Sequence, residues 1–153
     1  QKRVLGVISS APTDGFGFYG PTGVGKSFLL WAQAKECAYA GIPVIFRTAA
    51  EYIDGMRQSQ VSSEIESGGI DLSTIKPQTH LFLDELDNTP TTDYGIRTMF
   101  ELADAFWRMK GEVKMSYACN ASKEELAQMI GPATLRRFDE LTSFRLTLIS
   151  GGK

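Results

Sequence analysis

The chain has 153 residues, of which 42% are hydrophobic and 22% are charged. These are ordinary values for one globular domain, and they exclude a disordered, collagen-like or disulfide-stapled chain. No apolar run approaches about 18 residues, so no membrane-spanning segment is expected, and a formal net charge of -2 excludes a chain-wide basic surface for nucleic acid.

The cysteines and the single histidine form no metal-binding pattern. Cys37, Cys119 and His80 are too few for a four-ligand zinc site and lack its spacing. Two reduced thiols without a secretory signal are typical of a cytoplasmic protein, so we expect a cytoplasmic location. Because the first residue is Gln1 rather than Met, we expect residues 1–153 to be a single domain excised from a longer protein.

Strand and helix patterns alternate along the chain. Short apolar runs predict buried strands over residues 16–19, 44–46, 81–83, 113–119 and 144–149. A segment rich in Ala, Leu and Lys predicts a helix over 27–39, and apolar residues at steps of three and four predict another over 94–107. Ser122 followed by Glu125 has the form of a capping box, which predicts a further helix start.

This alternation predicts an α/β fold. Parallel neighbours need crossover connections, so we expect a parallel sheet of about five strands with helices on both faces. One segment departs from the alternation: a helical pattern over 49–57 continues through polar residues that include Gly68 and Gly69. We interpret residues 49–76 as a helical or loop insertion after the second strand.

The segment from Gly20 to Ser27 matches the phosphate-loop pattern G-x-x-x-x-G-K-[ST], and it lies between a predicted strand and a predicted helix, as this motif requires. Glycines let backbone N–H groups approach phosphate oxygens, and the helix N-terminus adds partial positive charge. The alternative is a glycine turn that matches by chance. We expect the nucleotide to contact the following residues: Gly20, Pro21, Thr22, Gly23, Val24, Gly25, Lys26, Ser27 and Phe28.

Four side chains are candidates for the reaction itself. Lys26 is expected to reach the outer phosphates of a nucleotide, and Ser27 to place its hydroxyl on Mg²⁺. Asp84 and Glu85 follow the predicted third strand, and ligands collect at the carboxyl ends of parallel strands. We expect Asp84 to orient Mg²⁺ or its water and Glu85 to polarise the attacking water. The alternative is a solvated turn, and Asp87 is interpreted as a turn or cap residue.

Three further polar residues each have two possible roles. Asn120 ends the predicted fourth strand, where its amide can sense the γ-phosphate or form a turn. Arg136 and Arg137 stand on a predicted short helix. A planar guanidinium can stabilise a transferring phosphoryl group, but two arginines can equally form surface salt bridges.

Together these motifs resemble the AAA+ ATPases. More narrowly, the segment GPTGVGKSFLLWAQAKECAYAGIPVIF, followed by RTAAEYIDGMR, resembles the DnaC/IstB family of bacterial helicase loaders and transposition ATPases. The resemblance covers nearly the whole chain. It implies that Asn120 is a sensor-1 residue, although Cys119 stands before it where the family usually has Thr or Ser. It also implies that Arg137, with Arg136 in reserve, is an arginine finger acting on ATP of an adjacent subunit in a homo-oligomer.

The resemblance also implies partners. Residues 49–70 correspond to an element that touches DNA in initiators and loaders, although Arg57 has few cationic neighbours there. The chain ends about where the family carries a basic sensor-2 residue, so we expect it to lack a helical lid. The N-terminal region through which family members grip their helicase or transposase is expected to lie outside this chain.

We therefore expect a Mg²⁺-dependent ATPase switch of the helicase-loader type, which delivers a replicative helicase to DNA and hydrolyses ATP slowly on its own. The alternatives are a transposition-helper ATPase of the IstB type, a small P-loop kinase, and a non-hydrolysing ATP-gated scaffold. The adjacent carboxylates of Asp84 and Glu85 favour water activation over transfer to an acceptor molecule.

Overall fold

The computed structural model describes residues 6, 8, 9, 11–61 and 68–149. Its centre is a five-stranded, all-parallel sheet with the order β2-β3-β4-β1-β5, which confirms the predicted α/β class. The strands are β1 (Phe16–Tyr19), β2 (Val44–Thr48), β3 (His80–Asp84), β4 (Lys114–Cys119) and β5 (Phe144–Thr147). The helices are α1 (Lys26–Tyr39), α2 (Ala49–Ser59), α3 (Asp93–Trp107), α4 (Lys123–Ile130) and α5 (Pro132–Glu140).

Several predicted boundaries were wrong by a few residues. β2 continues to Thr48 and β3 to Asp84, beyond the apolar runs that predicted them. Val113 forms only an isolated bridge with Lys110, and residues 148–149 lie beyond β5. An apolar run marks the buried part of a strand, whereas the hydrogen-bond ladder can extend through polar residues or stop earlier.

The sheet separates two apolar layers, so the predicted coverage of both faces is confirmed. On one face α1 packs against the sheet, with Leu30 and Ala34 in the same buried cluster as Phe18, Phe82 and Ala118. On the other face, α2, α3, α4 and α5 bury their apolar sides against β3 and β4. None of the described helices is long and apolar enough to cross a membrane.

Hydroxyl side chains cap the N-termini of three helices on the second face. The Thr48 hydroxyl accepts the Glu51 N–H at 3.1 Å, and the Thr92 hydroxyl caps α3 in the same way. The Ser122 hydroxyl accepts the Glu125 N–H at 3.1 Å, which confirms the predicted helix start. Each cap satisfies a backbone donor that the first helical turn leaves unpaired.

The predicted insertion, residues 49–76, contains α2 and a 3-10 turn at Leu72–Thr74. The helix predicted over 49–57 continues to Ser59. Residues 62–67 of this range lie outside the described residues. Gly55 of α2 packs closely against the segment at Gly69, where an added Cβ would lie 2.3 Å from the backbone nitrogen.

Candidate functional site

The turn between β1 and α1 depends on three glycines. A Cβ on Gly20, which has a φ of 151°, would lie 2.4 Å from the carbonyl oxygen of Leu148. Gly23 and Gly25 have φ values of 87° and 96°, which side chains rarely tolerate. The Gly20 N–H donates to the Cys119 carbonyl at 3.2 Å, so the turn is anchored to the end of β4.

The N-terminus of α1 carries no side-chain cap. Gly25 occupies the cap position, and the first turn contains no acidic residue. The first N–H groups of α1 therefore remain available to an anion, and the helix dipole favours negative charge at this end. A phosphate-binding turn has these properties.

Lys26 is buried, with 6% of its surface exposed, and its Nζ donates to the Pro21 carbonyl at 2.6 Å. Burial lowers the pKa of the Lys26 ammonium, whereas the carboxylates of Asp87 and Asp84 partly offset that effect by raising it. The ammonium is thus folded back on the loop that leads to it, next to the acidic edge of the sheet.

One cavity of about 290 Å³ collects most of the predicted site residues. Ser27 and Phe28 both line it and are exposed, Phe28 with 70% of its surface accessible. Val24 instead points into the apolar layer under α1, and Gly20 and Pro21 line a neighbouring groove. The cavity is lined by Thr22, Gly23, Gly25, Lys26, Ser27, Phe28, Asp84, Glu85, Ala118, Cys119 and Asn120.

The two adjacent carboxylates occupy different surroundings. Asp84 is the last residue of β3 and is buried, and its Oδ1 accepts the Glu85 N–H at 2.8 Å. Glu85 is exposed and adopts a left-handed backbone with a φ of 49° and a ψ of 50°. Its Oε2 accepts from the Asn88 side-chain amide at 3.3 Å. The left-handed turn thus lies at the cavity that Asp84 and Glu85 both line.

The donor set fits a magnesium ion bound together with phosphates. No group of three or more His, Cys, Asp or Glu side chains among the described residues can hold a metal ion. Mg²⁺ in nucleotide sites typically takes one or two protein oxygens and completes its shell with phosphates and water. The Ser27 hydroxyl and the Asp84 carboxylate, which line the same cavity, can supply those oxygens.

Asn120 lies at the cavity, where β4 ends, and it is held there by a residue that the sequence did not identify as part of the site. The Asp87 carboxylate accepts the Asn120 backbone N–H at 3.0 Å. The prediction of a turn or cap at Asp87 is confirmed, since Asp87 lies in a 3-10 turn at Leu86–Asn88. It also lies close enough to Lys26 to affect the pKa of the ammonium, so it joins three parts of the site.

The two candidate arginines lie on α5, away from the cavity. The Arg137 guanidinium is packed between the rings of Phe100 and Trp107, 5.0 and 5.1 Å from their centroids. Its Nε lies 3.5 Å from a carboxylate oxygen of Asp104. Arg136 is exposed and has no ion pair among the described residues.

Several solved structures with the same fold are those of replication proteins. The crystal structure of the DnaC helicase loader has a TM-score of 0.73 and 17% identity, and the match covers 97% of this chain and 89% of that one. A DNA replication initiation factor has a TM-score of 0.75 and 16% identity, with 96% and 45% covered. AMPPCP-bound DnaA from Aquifex aeolicus has a TM-score of 0.72 and 17% identity, with 96% and 46% covered.

This chain therefore spans less than half the length of the initiation factor and of DnaA. No curated protein sequence matches it. The model of the ATPase family associated with various cellular activities (AAA) matches residues 16–146. That range runs from the start of β1 almost to the end of β5 and includes the entire cavity, so the chain belongs to the AAA family of ATPases.

Proposed function

We propose that this chain is a Mg²⁺-dependent ATPase switch of the helicase-loader type. The observation that carries the proposal is the convergence of Lys26, Ser27, Asp84, Glu85 and Asn120 on one cavity at the carboxyl edge of the sheet. These residues come from the start of α1 and the ends of β3 and β4. Together they supply the cation, the hydroxyl, the carboxylates and the amide that nucleotide hydrolysis requires.

Each side chain has a separate task. Lys26 and the N–H groups at the start of α1 bind the β- and γ-phosphates, and the Phe28 ring borders the bound nucleotide. Glu85 takes a proton from the attacking water as the water oxygen bonds to the γ-phosphorus and the bond to the ADP oxygen breaks. The Asn88 amide orients the Glu85 carboxylate, and Asn120 contacts the γ-phosphate.

When bound, Mg²⁺ would neutralise negative charge that develops on the phosphates during the reaction. Ser27 and Asp84 are the residues that would hold it. Asp84 already uses one carboxylate oxygen to accept the Glu85 N–H, which leaves its second oxygen for the ion or for a water bound to it. The same hydrogen bond fixes the carboxylate at the end of β3.

The test is phosphate release and nucleotide binding by the purified chain. Lys26→Ala should lose ATP binding, whereas Glu85→Gln should bind ATP and lose hydrolysis by about 10²–10⁴-fold. Glu101→Gln is the matched control, because Glu101 is an exposed glutamate in the middle of α3. Hydrolysis that persists in Glu85→Gln would contradict the assignment, and a phosphorylated small molecule in place of phosphate would identify a kinase.

Within the AAA family, we infer the more specific role of a helicase loader. Its support is the fold similarity to the DnaC helicase loader over 89% of that chain, together with the sequence resemblance described above. ATP would gate the delivery of a replicative helicase to DNA. Binding of a purified replicative helicase that depends on ATP would support this role, and selective binding of a transposase would favour a transposition helper instead. ATP-dependent assembly without any phosphate release would identify a scaffold.

We include assembly in the proposal, because α5 carries Arg137 too far from its own cavity to line it. Arg137, or else the exposed Arg136, would complete the site of a neighbouring copy and stabilise charge on its γ-phosphate. The homo-oligomer would then hydrolyse ATP faster than the isolated chain.

DNA contact is assigned to a pair of arginines. The guanidinium of Arg57, on α2, lies 5.2 Å from the centroid of the Tyr94 ring, and that of Arg97 lies 5.7 Å from the same ring. Neither arginine has an ion pair among the described residues. Two unneutralised guanidinium groups on one aromatic ring suit a phosphodiester backbone, which pairs well with planar cations.

A further inference from the structure

A buried chain of hydrogen bonds, the tyrosine chain, joins β1, β4 and α5. The hydroxyls of Tyr19 and Tyr117 are 2.7 Å apart, and the Tyr117 hydroxyl donates to the Asp139 carboxylate at 2.7 Å. Tyr117 is completely buried and Tyr19 is 6% exposed. Tyr19 is the last residue before the phosphate loop, and Asp139 lies on the same helix as the candidate arginines.

The backbone of β1 is shaped to admit this chain. A Cβ on Gly17 would lie 2.7 Å from Cζ of Tyr117 and 2.8 Å from its hydroxyl oxygen. A glycine inside a strand is unfavourable unless another group approaches closely. Here the missing side chain leaves room for the Tyr117 ring, which meets the Tyr19 ring edge to face with centroids 5.7 Å apart.

The number of hydrogens on the two hydroxyls determines which one donates in the tyrosine chain. Each tyrosine hydroxyl has one hydrogen, and Tyr117 donates its hydrogen in the bond to the Asp139 carboxylate. Tyr19 must therefore donate to Tyr117. Burial raises the pKa of Tyr19 to about 12 and raises that of Tyr117 as well, so both hydroxyls keep their hydrogens at neutral pH.

A second contact continues the chain toward the nucleotide cavity. The other carboxylate oxygen of Asp139 lies 3.4 Å from Nζ of Lys123, three residues after Asn120. Asp139 thus connects α5 with two other segments. Through Tyr117 it reaches Tyr19, which precedes the phosphate loop, and through Lys123 it reaches the start of α4. None of these groups lines the nucleotide cavity.

We propose that Tyr117 and Asp139 are positioning residues that fix α5, and with it Arg136 and Arg137, relative to the phosphate loop. The inference rests on the proposed function, because it makes the arginine helix respond to the nucleotide bound at the loop. A nucleotide-dependent movement at Gly20 would reach α5 through Tyr19, Tyr117 and Asp139.

The experiment compares Tyr117→Phe and Tyr19→Phe with Tyr52→Phe in the full chain. Tyr52 is the matched control, since it is fully buried and its hydroxyl has no hydrogen-bond partner among the described residues. We expect kcat for ATP to fall about tenfold in both Tyr117→Phe and Tyr19→Phe, while KM stays within about twofold. The double variant should be no slower than the single ones, because the hydroxyls act as one unit.

Hydrogen exchange of residues 132–140 with and without ATP gives a second readout that needs no hydrolysis. ATP should slow exchange there in the wild type and in Tyr52→Phe, but not in Tyr117→Phe. Equal phosphate release by the wild type and Lys26→Ala would overturn the proposed function but not the positioning role. Hydrogen exchange would then test the positioning role by itself. The positioning role is overturned if ATP leaves this exchange unchanged in the wild type, or if Tyr117→Phe matches Tyr52→Phe.

Discussion

The carboxylate of Asp87 accepts the backbone N–H of Asn120 at 3.0 Å and so ties the turn after β3 to the end of β4. The same carboxylate raises the pKa of Lys26, against the stronger lowering by burial. A residue outside the phosphate-loop and acidic motifs therefore affects both the position of the Asn120 backbone and the pKa of Lys26.

Replacing Asp87 should make ATP binding more sensitive to alkaline pH. Without the Asp87 charge the pKa of Lys26 falls further, so the ammonium loses its proton at a lower pH and the affinity for phosphate is lost earlier. Titration of ATP affinity between about pH 7 and 10 measures this shift in Asp87→Asn. Asp54→Asn, in which an exposed α2 carboxylate that bonds Gln58 is neutralised, is the control.

The hydrogen bond itself is tested by a second variant. Asp87→Asn retains an acceptor for the Asn120 N–H, whereas Asp87→Ala does not. We expect Asp87→Ala to unfold at lower urea concentrations, with a free energy of unfolding about 1 kcal/mol below that of Asp87→Asn. Equal stability of the two would mean that the bond contributes nothing.

Mixing subunits should assign the arginine. Arg137→Ala is expected to lose hydrolysis and to regain it when mixed with Lys26→Ala, because each variant then supplies the half-site that the other lacks. Arg137→Ala should also be less stable by about 1–2 kcal/mol, since its guanidinium packs between Phe100 and Trp107. Phosphate release and urea unfolding measure the two effects separately.

Arg136→Ala is the matched variant on the same helix. Arg136 has no ion pair among the described residues, so its removal should leave stability unchanged. Recovery by mixing that is confined to Arg136→Ala would transfer the catalytic role to that residue. No loss of hydrolysis in either variant would exclude an arginine acting between subunits.

The salt dependence of DNA affinity should become weaker when Arg57 or Arg97 is replaced. Each arginine that contacts a phosphate adds about 0.7 to 0.9 to the slope of log affinity against log salt. Arg57→Gln and Arg97→Gln should each lower that slope by about this amount. Arg108→Gln is the control, because Arg108 is exposed but paired with Asp104 at 3.0 Å. A slope that falls equally in all three variants would indicate a general charge effect.

Stability should fall in acid because of one buried histidine. Burial, with a smaller effect of the Lys114 charge, lowers the pKa of His80 to about 3. Below pH 6.5 the unfolded chain therefore binds one more proton than the folded chain, and the free energy of unfolding falls as pH drops toward 3. The loss due to His80 should reach about 2–3 kcal/mol by pH 4.5.

The matched variant is His80→Gln, which keeps a polar group near Ser116. His80 Nε2 lies 2.8 Å from the Ser116 hydroxyl, and that hydroxyl donates to the Gln33 side chain, so the ring nitrogen is the donor. Urea unfolding at several pH values should show a shallower acid slope in His80→Gln. Parallel slopes in the two proteins would contradict the assignment to His80.

The left-handed backbone of Glu85 predicts an unusual preference for glycine. With a φ of 49° at this residue, Glu85→Gly should be more stable than Glu85→Ala by about 1 kcal/mol. Glu101 lies within α3, so Glu101→Gly should be less stable than Glu101→Ala by about the same amount. Chemical denaturation of the four variants measures both differences, and the same sign at both positions would contradict the prediction.

Local patterns predicted the parts of the molecule that depend on neighbouring residues. The phosphate loop, the acidic end of β3 and the Ser122 cap are each defined by a few consecutive residues, and each lies where the pattern indicated. The roles of Asp87 and Asp139 depend instead on which strands become neighbours. No local pattern states that β4 lies between β3 and β1.

Some of these long-range contacts did leave a signal. Gly17 interrupts an aromatic strand, and a glycine in that position indicates that another group approaches closely, here Tyr117. The packing of Arg137 had no such signal, because two adjacent arginines on a helix differ only in the direction they face. Which one meets Phe100 and Trp107 depends on how α3 and α5 cross.

The position of β1 in the sheet has a consequence for synthesis of the protein. Gly17 pairs with Tyr117 and Phe16 with Phe144, so this early strand finds its neighbours only after a hundred or more further residues have left the ribosome. Pairing over such separations is slow, because the intervening loop must close first. The loop at residues 20–25, which follows β1 directly, should therefore acquire its native shape later than segments whose contacts are local.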